Sequence, residues 1–433
     1  MLTPKILRST LFSTGLALLL IGCNDSSNTT KPIEDTKEVA ESKLTRELNP
    51  QATIEQQREL AKNNNDFAFD MFAKLQETQK GNLFFSPYSI SEALVMTYAG
   101  AKGETKSQMA TALHFDSDES KLHTTFNALD LHLNYSLGDY TLSVANSLWP
   151  QKDYTFLESY LDTIKLNYGA DLKLLDYAND TEGSRQTINR WVEEKTEDRI
   201  KNLIPENTLS PLTRLVLVNA IYFKGKWIDK FEASSTKDET FTLEDGSTIT
   251  TPLMQQSEHF KYSESETYQS VELNYEGFRT SMVVVLPKKG LTLNLYNDIK
   301  ESYNKIIDEA TSKKVNLKLP KFEFATDVYS LREPFKALGM IDAFSSGNAD
   351  FSAMTGEPEL FIGEILHKAF IKVDENGSEA AAATAVTMYA TSLPPVEEES
   401  VDMFVNRPFI FFIKDRESGQ ILFMGVIKEP VQG

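Results

Sequence analysis

The chain has 433 residues, of which 41% are hydrophobic and 10% aromatic, enough apolar content for a globular body with a large core. Its formal charge of −19 opposes nonspecific binding to nucleic acid and favours the steering of basic partners. The single cysteine, Cys23, excludes a disulfide within the chain and argues against a cysteine nucleophile.

Residues 1–22 read as a targeting segment. Lys5 and Arg8 precede the apolar stretch Leu16 to Ile21, and Leu20-Ile21-Gly22-Cys23 follows. This pattern resembles the signal of bacterial lipoproteins, which implies that Cys23 is acylated and becomes the mature N-terminus. A plain secretory signal is the alternative. The apolar run is well short of the ~20 residues of a membrane span. Asn24 is not the aspartate that resembles an inner-membrane retention signal, so an outer membrane is favoured, with the body facing the periplasm or the outside. From Cys23 to residue 55 the chain is rich in Asn, Ser, Thr, Lys and Glu and reads as a disordered tether. About thirty flexible residues have an r.m.s. span of roughly 30 Å, enough to lift a folded body off a lipid surface.

From residue 56 to 433 the pattern is that of one α+β domain. Asp66 is placed to cap a helix in which Phe67, Met71 and Leu75 recur at four-residue spacing. Ile188, Trp191, Val192 and Lys195 mark another helix, ending before Pro205. Leu215 to Phe223 and Met282 to Leu286 are nearly continuous apolar runs, as strands buried on both faces require. Val315, Leu317 and Leu319 alternate, as do Phe322 and Phe324, which predicts a half-buried sheet. The tail returns to strands at Phe409 to Ile413 and Ile421 to Ile427, with Glu417-Ser418-Gly419 turning between them.

Enzyme signatures are lacking. None of the five histidines, His114, His123, His132, His259 and His367, pairs at metal-binding spacing. There is no H-E-x-x-H, G-x-S-x-G, G-x-x-x-x-G-K or G-x-G-x-x-G sequence. The reading is therefore not an enzyme, with no metal and no cofactor.

The most unusual segment runs from Glu375 to about Ser400 and contains Glu379-Ala380-Ala381-Ala382-Ala383-Thr384. Alanine propensity alone favours a helix. Tested as a strand, however, Ser378, Ala380, Ala382, Thr384, Val386, Met388 and Ala390 share one face, all small or apolar. Glu379 is the only charge between Ser378 and Thr391, and it lies on the opposite face. Without proline in that stretch, every N–H is available to a sheet ladder, and Pro394-Pro395 follow directly. Extended, Ser378 to Thr391 would make a strand of about 46 Å.

On these residues the chain resembles the serpin family, and specifically its inhibitory members. Glu375-Asn376-Gly377-Ser378-Glu379-Ala380-Ala381-Ala382-Ala383-Thr384 is similar to the family's hinge. Asn82-Leu83-Phe84-Phe85-Ser86-Pro87-Tyr88-Ser89-Ile90 and Val218-Asn219-Ala220-Ile221-Tyr222-Phe223-Lys224-Gly225-Lys226-Trp227 are also similar to family motifs. So are Leu319 to Phe322, Leu338 to Met340, His367 to Ala369, Asn406 to Phe409 and Phe423 to Gly425, in order, over roughly residues 60 to 430. The resemblance implies the serpin fold, a tall main β-sheet with further sheets, surrounding helices and an exposed reactive-centre loop.

It also implies a suicide-substrate mechanism: a serine protease attacks the loop, and the cut loop then inserts into the main sheet while still acylating the protease. Fifteen residues from Gly377 is Ser392, and Ser392-Leu393-Pro394-Pro395 is similar to the family's Ser-x-Pro-Pro, so the implied reactive bond joins Thr391 to Ser392. The small, uncharged Thr391 beside Ala390 suits elastase-like or subtilisin-like proteases. Tyr389 or Met388 would serve others through a shifted cut, and cysteine proteases are a further target class. Ser86, Ser89, Asn219 and His367 correspond by resemblance to a polar cluster that controls sheet opening, and Trp227 to a tryptophan where insertion begins. A satisfied polar core, and plain packing for Trp227, are the bland alternatives. Non-inhibitory serpins acting as binding or chaperone-like proteins are the other functional reading, but the hinge of such members often carries bulky or charged residues, and this one does not. A monomer is expected. Between Pro395 and Asn406 the chain is about six residues longer than the familiar pattern and carries Glu397-Glu398-Glu399, a solvated run or an exosite for a basic protease rim.

Overall fold

A computed structural model describes residues 38–115, 118–134, 141–378 and 399–431. The apolar run from Leu215 forms the spine of a six-stranded sheet, whose strands in chain order are β1 (Thr141–Pro150), β2 (Leu215–Lys226), β3 (Phe322–Ala325), β4 (Tyr329–Ser330), β5 (Glu364–Asp374) and β6 (Gly377–Ser378). β2 is antiparallel to β1 from Thr141↔Lys224 to Pro150↔Leu215. Its other side is parallel to β5 from Glu364↔Val216 to Ala369↔Ile221. Parallel neighbours need long crossovers and burial of both faces, which is why β2 reads as a continuous apolar run. Leu215, Leu217, Ile221 and Phe223 point into the large core, while Val216, Val218, Ala220 and Tyr222 point into a smaller one. The helix Thr181–Lys195 closes the smaller core with Ile188 and Val192, as its spacing predicts.

A nine-stranded sheet packs against the large core. Thr280–Pro287, Phe409–Asp415 and Ile421–Ile427 are adjacent strands in it, buried at every position. Ser400–Phe404, where the chain returns after the Glu375 to Ser400 segment, pairs in parallel with Thr311–Pro320 at the sheet's edge. Strands, helices and more than one sheet packed in one compact unit among the described residues bear out the α+β expectation.

Among the helices lining the large core are α1 (Ile54–Thr78), α2 (Pro87–Tyr98) and α3 (Glu119–Leu133), which contribute Phe67, Ile90 and Phe126 to it. Phe67, Met71 and Leu75 are buried along α1, but Asp66 is not its cap. The helix starts at Ile54, where Thr53 and Gln56 satisfy each other's backbone N–H groups in a capping box. Asp66 instead pairs with Lys62 one turn back, at 3.0 Å. The first turns of α1 lack an apolar stripe because Asn64 and Asn65 face inward, satisfied by Gln420 and the Gly419 carbonyl.

The stretch 38–55, read from composition as the end of a disordered tether, is also corrected. Glu38–Ala40 forms a strand antiparallel to Leu172–Leu174, and the Glu47 N–H donates to the Leu166 carbonyl at 2.9 Å. Hydrogen bonds and ion pairs rather than apolar burial hold this arm, so its hydropathy resembles that of a tether. The signal, Cys23 and the rest of the tether lie outside the described residues. Among the described residues no helix is long and apolar enough to cross a membrane.

Candidate functional site

α2 lies beneath the main sheet and is buried along its whole length. Ser86 caps its N-terminus, accepting from the Ser89 N–H, and Pro87 takes the first turn, where its missing N–H costs nothing. This fixes Ser86 and Ser89 below the junction of β2 and β5, opposite the register pair His367↔Asn219. The Ser86 N–H donates to His367 Nε2 at 3.2 Å, so that nitrogen is unprotonated and Nδ1–H donates to Asn219 Oδ1. Asn219 Nδ2 in turn donates to Ser89 Oγ and to Asn146 Oδ1, and Ser89 Oγ donates to Asn146 Oδ1 at 2.9 Å. The two strands are thus clamped side chain to side chain at the sheet's middle. Burial pushes the His367 imidazole down to about 3, in keeping with its neutral tautomer.

Sequence reasoning named Ser86, Ser89, Asn219 and His367 but missed Asn146 and Glu92. Asn146 Nδ2 donates to the Ser89 carbonyl at 3.0 Å and to Glu92 Oε2 at 2.8 Å. The available signal was an asparagine in the middle of β1, where a polar side chain among Leu142, Leu148 and Trp149 must find partners.

At the other end of β2 and β5 the two strands no longer pair with each other. β5 turns at Glu375-Asn376, and Gly377–Ser378 runs back between them as β6, antiparallel to both. Gly377 faces Lys226 and Asp374; Ser378 faces Gly225 and Val373. Ser378 is 1% exposed and its hydroxyl shares a 2.7 Å hydrogen bond with Tyr275 Oη, so the first residue of the expected insert already lies inside the sheet. Gly377 matters for space as much as for pivoting. A Cβ there would lie 2.0 Å from the Gly225 carbonyl oxygen, at φ +154°.

Trp227 braces the turn. Its indole donates to the Asp374 carbonyl at 3.0 Å, its backbone N–H to the Asn376 carbonyl at 2.8 Å, and its ring stacks on Tyr275 at 4.4 Å. Glu375 is 8% exposed and accepts from Thr236 Oγ1 at 2.8 Å and Lys321 Nζ at 2.9 Å. Burial opposes its charge, but these two donors outweigh burial and hold the carboxyl below the usual range. Glu379, Ala380, Ala381, Ala382, Ala383, Thr384, Met388, Tyr389, Ala390, Thr391, Ser392, Glu397 and Glu398 lie outside the described residues. Among the described residues no group of side chains could hold a metal ion.

The His367 arrangement gives a signed pH dependence. Its folded pKa is depressed, so the unfolded chain binds the extra proton between about 3 and 6.5. The stability contribution is complete above pH 6.5 and is lost as pH falls toward 3, by at most about 1.4 kcal/mol per pH unit. Urea unfolding of the wild-type chain and of His367→Gln across pH 3.5–7.5 should show a steeper acid slope in the wild type. Identical slopes would remove His367 from this role.

Comparison with known proteins matches this geometry. The sequence model of the family described as Serpin (serine protease inhibitor) matches residues 62–430. An uncharacterised serpin-like protein of Thermococcus kodakarensis is 41% identical over 372 residues, covering 85% of each chain. Human leukocyte elastase inhibitor is 37% identical over 389 residues, covering 86% of this chain and all of its own length. A crystal structure of a serpin of the insect Tenebrio molitor superposes with a TM-score of 0.76 at 30% identity, covering 86% of this chain and 98% of that one. With the six-stranded sheet, the clamp at its centre and the Gly377–Ser378 wedge at its end all in one chain, the protein belongs to the serpin family.

Proposed function

We propose that this serpin is a suicide-substrate inhibitor of serine proteases, elastase-like or subtilisin-like ahead of trypsin-like, tethered to a membrane through acylated Cys23. The observation that carries the inhibitory reading is the position of Gly377–Ser378 between β2 and β5. In the proposed reaction the protease serine attacks the Thr391 carbonyl, the bond to Ser392 breaks, and the hydroxyl proton leaves on the new amine of Ser392. The acylated loop then continues the strand that β6 begins.

The register of β6 supports this reading. Each later residue would face one position earlier on both β2 and β5. Glu379, the one charge of the insert, would stand between Lys224 and Lys372, an electrostatically favourable neighbourhood. Ala382 would be the first to displace a ladder pair, Ala369↔Ile221. Thr384 would arrive between Asn219 and His367, supplying a hydroxyl where their direct hydrogen bond must break. Every other residue of that face from Ala380 to Ala390 is apolar, as the core below requires. Insertion exchanges one parallel ladder for two antiparallel ones, a net gain of backbone hydrogen bonds worth roughly 0.5–1.5 kcal/mol each. The intact protein is then held kinetically above its inserted state.

Incubation with elastase or subtilisin should give a covalent complex that survives denaturation, with mass spectrometry locating the new amino terminus at Ser392. Ser378→Arg, which would bury a charge against Tyr275, should convert most of that complex into cleaved, released protein. Clean loop cleavage by the wild-type chain with no complex would support the non-inhibitory reading instead. The anchor reading expects the full chain, expressed in a bacterium, to partition with membranes and Cys23→Ala to be released. Equal partitioning of both would contradict it.

A further inference from the structure

The clamp beneath the sheet continues from Asn146 into a buried pair of carboxyls. Glu92 of α2 accepts from Asn146 Nδ2 at 2.8 Å, and Tyr88, one turn earlier on the same helix, holds α2 to Asp130 of α3. Glu92 and Asp130 are nearly inaccessible, 8% and 4% exposed. Two carboxylate charges this deeply buried would repel each other, and a charge that remains needs a counter-ion in so dry a place.

That counter-ion comes from the arm that precedes α1. Arg46 Nη2 meets Asp130 Oδ2 at 2.6 Å, and its Nε donates to Asn127 Oδ1 at 2.9 Å. Asn127 Nδ2 returns a hydrogen bond to the Glu47 carbonyl at 2.7 Å, fixing the arm around the guanidinium. Asp130 Oδ1 also accepts from Tyr88 Oη at 3.1 Å. Burial first, then the charge of Asp130, pushes the Glu92 carboxyl well above the usual range, while Arg46 pulls the other way. A Glu92 carboxyl held above the usual range favours its neutral form behind the Arg46–Asp130 pair. Glu92 Oε2 is then left to accept from Asn146.

The structure assigns to Arg46 the role of a positioning residue for sheet opening: through Asp130 and Glu92 it aims Asn146 at Asn219 and Ser89, the clamp between β2 and β5. The assignment rests on the reading that opening of the β2–β5 ladder is the productive motion. Without the cation, the buried negative charge repels the electron-rich face of Glu92, Asn146 loses its fixed acceptor, and the clamp weakens. Nothing in the main sheet itself is altered by such a change.

The test is uptake of a fluorescent, N-acetylated peptide with the sequence of residues 378–391 by the full chain, followed by native gel and fluorescence anisotropy. Such a peptide adds to an opened sheet as a strand. Arg46→Gln is expected to take it up at least tenfold faster than wild type. Arg46→Lys, which keeps the charge, should stay within about twofold to threefold of wild type. Arg46→Gln with Asp130→Asn, in which both charges are gone, should return to the wild-type range. A wild-type rate in Arg46→Gln overturns the assignment, as does a fast rate that Asp130→Asn does not correct. If Arg46→Gln does not fold, recovery of folding and of a wild-type rate in the double variant supports the assignment, and failure to recover overturns it. No uptake by the wild-type chain, with a folded circular-dichroism spectrum, would overturn the functional reading on which the assignment rests.

Discussion

The ladder between β2 and β5 is the constraint from which the rest of the molecule takes its meaning. It is parallel, is described for the six pairs from Glu364↔Val216 to Ala369↔Ile221, and ends where Gly377–Ser378 lies between the same two strands. The parallel stretch and the wedge share one register: Val373 and Gly225, which flank Ser378, stand in the same offset as Ala369 and Ile221. A strand added at the wedge therefore needs no slip of its neighbours, only their separation. Because a one-residue slip would turn every side chain to the other face, this matched register is what lets an apolar face meet the core at every step.

Separation is resisted chiefly at the middle of the sheet. There the side chains of Asn219 and His367 join β2 to β5, and both are tied to α2 through Ser86 and Ser89. A buried polar network of this kind is costly to leave half made. It therefore suits a barrier better than a gradual spring: the strands stay together until all the partners can be exchanged at once. Asn146 extends the network to a third strand, β1, and Glu92 carries it further along α2, which makes the barrier depend on packing well away from the ladder.

Much of this was legible in the sequence, for reasons that particular residues make clear. β2 was visible because burial on both faces leaves an unbroken apolar run, and Ile188 with Val192 marked a helix because only one side of it is buried. Gly377 and Ser378 stood out by composition, and the strand test placed Ser378 on the inward face where Tyr275 now meets it. The arm from residue 38 was misread because polar contacts leave no trace in hydropathy, and the start of α1 was missed because Asn64 and Asn65 occupy its inward face. Asn146 and Glu92 went unnamed for a similar reason. Their partners lie 54 positions or more away in the chain, and no local pattern records such a pairing. The same limit hides that Gly377 is required by the Gly225 carbonyl rather than by turn geometry alone.

The intact sheet, on this reading, is held short of a form in which the loop parts β2 from β5. Backbone amide exchange over 216–221 and 364–369, measured before and after a protease cuts the loop, tests it most directly. Exchange in both strands should slow by orders of magnitude after the cut, as each gains an antiparallel neighbour. Unchanged or faster exchange in the cut protein would contradict it.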